Sequence, residues 1–160
     1  MSNAEHEQTQ TQSQIEQATC QFATFYVKGL FFGIEVLRVQ EVLRYQEMTR
    51  VPLAPDVVEG LINLRGQIVT AIDMRRRLGL PARDSEAPPM NMVVRSDEGA
   101  VSLLVDEIGD VLQVRRDVYE PPPENTPKLL RDLITGVYKL DGELLLELDT
   151  ERALQVQAGN

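Results

Sequence analysis

Histidine and cysteine each occur once in these 160 residues. The single histidine, His6, lies in a polar N-terminal stretch. That removes Ser-His-Asp and Cys-His nucleophile systems and multi-histidine metal sites. Cys20 has no partner for an internal disulfide, which predicts a reducing compartment. At a strand start it reads as a small core residue rather than a nucleophile. Phosphate-cradling loops are missing: there is neither G-x-x-x-x-G-K-[ST] nor G-x-G-x-x-G. No apolar run approaches the roughly 18 residues of a membrane span. The opening "MSNAEHEQTQTQSQIEQ" has no signal-peptide pattern. Cations are scarce, with 16 Lys and Arg against 25 Asp and Glu and a net charge of −9, so a general nucleic-acid binder is excluded. Carboxylates abound, but no spacing selects a catalytic pair. The expectation is a soluble cytoplasmic protein.

What is present is a succession of short strands. The length suits one domain or two small lobes, with enough chain for a core without disulfides. Residues 1–18 are rich in Gln, Thr, Ser and Glu and are expected to form a disordered tail. "CQFATFYVKGLFFGIEV" reads as two strands around a Lys28-Gly29 turn. "VLRVQEVLRY" fits a helical turn or a bent strand. "TRVPLAP" reads as a short strand broken by Pro52 and Pro55. "GLINL" and "QIVTAID" are strands joined at Arg65-Gly66. "DMRRRLGLP" reads as a short helix capped by Asp73 and stopped by Gly79 and Pro81. "PARDSEAPP" has linker composition. Then come "MNMVVRS", "AVSLLVDEI" and "DVLQVRRDVY", the Pro-rich loop "EPPPENTP", a hairpin turned by Asp141-Gly142, and a closing helix in "DTERALQV".

The second half echoes the first. A shift of 76 positions lays Gly60 on Gly136, Gly66 on Gly142, Asp73 on Asp149 and Leu78 on Leu154. This predicts an all-β chain of two similar lobes, residues 19–84 and 85–160, rather than one continuous sheet. Short strands with frequent turns suggest small barrels, which leave no open sheet edge.

One position departs from its twin. Arg65 sits at a hairpin tip where the second copy has Asp141, a routine turn former. Turn chemistry requires Gly66 and is helped by Asn63, but it does not require an arginine. Two readings stay open here: an interface anchor or a solvated turn. Arg75, Arg76 and Arg77 read as a solvated helix face, and Asp106, Glu107 and Asp110 as a solvated acidic turn.

Three stretches in order carry a family resemblance. They are "FGIEVLRVQEVLRYQEMTRVPLAPDVVEGLINLRGQIVTAIDMRRRLGL", "LLVDEIGDVLQV" and "LITGVYKLDGELLLELDTERAL". Over about residues 20–155 the chain resembles the CheW family, the coupling proteins of bacterial chemosensory arrays. Thr70 stands where that family often has proline, and Met74 where it has leucine. The resemblance implies two SH3-like five-stranded β-barrels with short helices, together one CheW-like domain. It implies a non-enzymatic adaptor with no cofactor and no metal. Its implied partners are the cytoplasmic tip of methyl-accepting chemoreceptors and the regulatory domain of a CheA-type histidine kinase. It also implies a place at receptor arrays on the inner face of the membrane, without membrane insertion. The implied receptor-binding positions are Val39, Glu41, Gly60, Asn63, Arg65, Ile108 and Val111; no kinase-contact residue is assigned. A β-barrel sensor of small molecules, or a cryptic hydrolase, is the other class the composition admits. The lack of a placed histidine, nucleophile and phosphate loop weighs against catalysis.

Overall fold

The structure, a computed structural model, describes residues 18–84 and 87–155. The tail expected over residues 1–18 lies, except for Ala18, outside them. Eleven strands form two sheets among the described residues: β1 (Thr19–Val27), β2 (Leu30–Glu35), β3 (Val39–Leu43), β4 (Val58–Leu64), β5 (Gln67–Asp73), β6 (Met90–Ser96), β7 (Gly99–Val105), β8 (Glu107–Arg115), β9 (Tyr119–Glu120), β10 (Ile134–Leu140) and β11 (Glu143–Leu148). Three short helices punctuate them: α1 (Met74–Arg77), α2 (Lys128–Arg131) and α3 (Thr150–Leu154).

Turn chemistry sets the hairpins. Val27 faces Leu30 across Lys28 and Gly29, both with positive φ, 49° and 77°. That is the pattern of a two-residue turn whose twist matches the flanking strands. The ambiguous "VLRVQEVLRY" holds both expected forms: a 3-10 turn over Val36–Arg38, then β3. "TRVPLAP" is not a strand; only Thr49 makes an isolated bridge, to Leu61. Its two prolines cannot donate to a ladder. Asp73 and Asp149 cap α1 and α3 as their type predicts, accepting from the backbone N–H of Arg75 at 3.0 Å and of Arg152 at 3.2 Å.

The chain forms two SH3-like β-barrels, but they are not consecutive halves. Barrel A has the strand order β8-β1-β2-β11-β10-β9, and barrel B has β3-β6-β7-β5-β4. The two repeats have exchanged their first hairpins. The hairpin β1–β2 joins the second repeat through a parallel pairing of β2 with β11. Reciprocally, β6–β7 joins the first through a parallel pairing of β7 with β5. A cut between residues 84 and 85 therefore separates strands that pair. The two-residue β9 also gives barrel A a sixth strand where five are expected. The physical reason is that a repeat reports which segments are alike, whereas pairing depends on which equivalent edge each hairpin meets.

The exchange shows in the core. Barrel A closes over Phe22, Phe31, Val114, Tyr138 and Leu145, and barrel B over Ile62, Val69 and Val93. The largest cluster lies between them. Phe25, Phe32, Ile34 and Leu146 of barrel A meet Ile72, Met92, Val94 and Leu103 of barrel B there. Phe25 and Phe32 stack at 5.4 Å in this shared layer. Each such side chain contributes about 1.5–3 kcal/mol by leaving water, so the barrels stabilise each other.

Candidate coupling surface

The tip of the β4–β5 hairpin carries the feature that the sequence left open. Leu64 pairs with Gln67, leaving Arg65 and Gly66 as the turn, with φ of 53° and 87°. The Asn63 side-chain carbonyl accepts the Gly66 N–H at 2.9 Å and fastens the turn. An arginine in the left-handed region carries a steric penalty of about 1–2 kcal/mol that glycine escapes. Its side chain is 76% exposed, yet it is not free: the guanidinium pairs with Glu41 on β3. Glu41 is itself mostly covered, and its second oxygen, Oε1, is buried without a partner among the described residues. The tip of one hairpin thus holds an edge-strand carboxylate.

The other expected positions divide by location. Val39 sits beside a bulge in the β3–β6 pairing and packs on the shared core. Ile108 and Val111 lie on β8, the edge strand of barrel A, opposite Phe25 and Ala23. Ile108 packs on the same shared core, while Val111 is 58% exposed. Val39 and Ile108 therefore flank one apolar layer from the edges of different barrels. Gly60 is buried, and a Cβ there would stand 2.8 Å from the Thr49 carbonyl oxygen. Its position is required by close backbone approach. Among the described residues no hydrogen bond or ion pair links β8 to the Glu41–Arg65 pair.

A second constellation was missed by the sequence reading. Asp106, at the β7–β8 junction, is not a solvated turn residue. Arg75 of α1 donates to it from Nε at 3.0 Å and Nη2 at 2.7 Å, Arg83 from Nε at 2.9 Å, and the Lys28 backbone N–H at 2.6 Å. The Asp106, Arg75 and Arg83 side chains are 16%, 14% and 13% exposed. Burial pushes the Asp106 carboxyl up, but hydrogen bonds from Arg75, the Lys28 N–H and Arg83 outweigh it and hold it below the usual range. Arg76 reaches the Asp56 carbonyl and Glu59, and Arg77 reaches the carbonyls of Arg152 and Gln155 at the end of α3. Arg75 and Arg77 clasp one barrel to the other, while Arg76 stays about half exposed on its own barrel, as expected of three arginines fanned round one helix. A cationic triplet directly behind a capping aspartate is the only trace of it in the sequence.

Cys20 is partly buried against the barrel A core, and burial pushes its thiol up. Among the described residues no group of His, Cys, Asp and Glu is arranged to hold a metal. None of their helices is long and apolar enough to cross a membrane.

Comparison with known proteins agrees with this architecture. The CheW-like domain family matches residues 21–158. The chemotaxis protein CheW of Klebsiella aerogenes is 31% identical over 134 residues, covering 84% of this chain and 81% of that protein. Its Bacillus subtilis namesake is also 31% identical over 134 residues, covering 84% and 86%. The crystal structure of the scaffolding protein TtCheW from Thermoanaerobacter tengcongensis superposes with a TM-score of 0.77 at 25% identity, covering 87% of this chain and 94% of that one. With two SH3-like barrels and a family match over nearly its whole length, this chain belongs to the CheW family of chemotaxis coupling adaptors.

Proposed function

We propose that this chain couples the cytoplasmic tip of a chemoreceptor to the regulatory domain of a CheA-type histidine kinase, and that the receptor docks across the surface bearing Arg65. It acts without catalysis, in the cytoplasm, and is recruited to receptor arrays at the inner face of the membrane. The observation that carries this reading is Arg65 itself. An arginine at an exposed tip whose turn is already made by Gly66 and Asn63, and whose guanidinium is held by Glu41, is kept for its side chain. Its pairing with Glu41 holds the guanidinium over β3, so it needs little further ordering on docking. Val39, Ile108 and Val111 supply apolar area, while Gly60 and Asn63 hold the hairpin in shape. Many copies in an array add avidity to each weak contact.

The test is titration calorimetry of wild type and Arg65→Glu against a receptor-tip fragment and a kinase regulatory-domain fragment. A hot-spot arginine contributes roughly 2 kcal/mol, about thirtyfold in affinity. Receptor binding is expected to fall by that factor, and kinase binding to change much less. Unchanged receptor affinity places the contact elsewhere.

A further inference from the structure

The two barrels carry equivalent clefts, and among the described residues only that of barrel A has a Pro-rich segment as a wall. In barrel A it lies between the β1–β2 turn and β11, lined by Leu30, Phe31, Glu143, Leu144 and Leu146. Its third wall is the Pro-rich segment itself: Pro123, Asn125, Thr126, Pro127 and then Leu130. That segment continues over the end of α1, where a Cβ on Gly79 would stand 2.7 Å from Leu129 Cδ1.

Barrel B repeats the floor at the 76-residue shift. Gln67, Ile68 and Thr70 take the places of Glu143, Leu144 and Leu146, and Gly99 to Val101 follow the equivalent turn. No Pro-rich segment lines it among the described residues. The counterpart of the covering segment, residues 45–55, instead runs beside β4 through the Thr49–Leu61 bridge. The third wall is the end of α3, with Leu154 and Gln155, the counterparts of Leu78, which is buried, and Gly79, which touches Leu129. The cleft is correspondingly larger, about 770 Å³ against about 470 Å³. Ile68 on its floor is 60% exposed.

The charges differ too. Asp97, Glu98 and Glu151 line the barrel B cleft, and none of its lining residues is a cation. Glu151 is paired with Arg38 at 2.6 Å, but Asp97 and Glu98 have no ion pair among the described residues.

We propose that this barrel B cleft binds an extended, proline-containing, cationic segment of a partner polypeptide. Such a segment would lie against Ile68, Val101 and Leu154 as the chain's own Pro-rich segment lies against barrel A, with Lys or Arg set on Asp97 and Glu98. An extended proline segment loses little chain entropy on docking. Opposite charge selects the basic sequence over the acidic one. This inference does not rest on the receptor-docking reading, since none of that reading's seven positions lines the cleft.

The probes are two end-blocked octapeptides: the chain's own "PPPENTPK", residues 121–128, and the same peptide carrying Arg for Glu124. Binding is followed by NMR shift titration of the full chain. The cationic peptide, with a net charge of about +2, is expected to saturate with shifts at Ile68, Val101 and Leu154, and the net-neutral native peptide to bind at least about tenfold more weakly. Asp97→Lys with Glu98→Lys is expected to remove that preference with an unchanged melting curve. The proposal is overturned by no saturable shift up to about 1 mM peptide, by shifts centred on Leu30 and Leu144, or by a charge reversal without effect. Binding that appears only after the residues beyond Gln155 are deleted also overturns it, by making the chain's own C-terminus the occupant.

Discussion

The β4–β5 and β10–β11 hairpins do the same work in different barrels. Both begin with a bulge at a glycine, Gly60 and Gly136, and both end in an aspartate-capped helix. At Gly60 the neighbour is the Thr49 backbone; at Gly136 it is the Tyr119 ring, whose atoms would lie 2.2–2.5 Å from a Cβ. At the tips they part. Arg65 takes a positive φ and holds Glu41, whereas in the Asp141-Gly142 turn only the glycine does. Backbone geometry demanded the shared glycines and capping aspartates, whereas Asn63 and Arg65 at the first tip have Lys139 and Asp141 as counterparts. Within an internal repeat, such departures mark what each copy does beyond folding.

The comparison breaks most readily where the barrels are joined. Asp106→Asn leaves Arg75 without its paired carboxylate and Arg83 with only the longer 3.9 Å contact to Asp73 in a mostly covered site, and is expected to cost about 3 kcal/mol. Because the folded carboxyl is depressed, its contribution is complete above the ordinary aspartate range near pH 3.9 and is lost as pH falls through the folded value. Urea unfolding of wild type and variant should therefore show a gap that is full at pH 7 and narrows in acid; a gap constant with pH removes the linkage.

The paired glycines give a smaller and sharper contrast. Gly60→Ala meets backbone that cannot yield locally and should cost about 2–3 kcal/mol. Gly136→Ala meets a 42% exposed tyrosine that can swing aside, losing its hydrogen bond to the Thr135 carbonyl, for about 1 kcal/mol. Thermal melts of the two variants read the difference, and equal losses would mean that both neighbours are equally rigid.

The smallest effect is expected at the hairpin tip. Arg65→Gly relieves the left-handed strain and loses an exposed ion pair, two terms of similar size, so stability should move by no more than about 1 kcal/mol. Receptor affinity should fall nonetheless. A large drop in melting temperature would make Arg65 a structural residue and dissolve the contrast with Asp141.

The all-β class, the hairpin turns, the capped helices and the repeat could all be read along the chain, because turn chemistry, capping and alternation act between residues a few positions apart. Arg65 could be singled out for the same reason: its neighbours already defined the turn without it. Three things needed the folded molecule. The exchange of hairpins was hidden because β2 and β7 offer equivalent edges, and which of β5 and β11 each joins is settled by the shared core around Phe25, Phe32, Met92 and Leu103. The Arg75–Asp106–Arg83 clasp was hidden because its members lie far apart in sequence and meet only where the barrels pack. The Arg65–Glu41 pair joins a hairpin tip to another strand, and alternation along either segment carries no information about that distance.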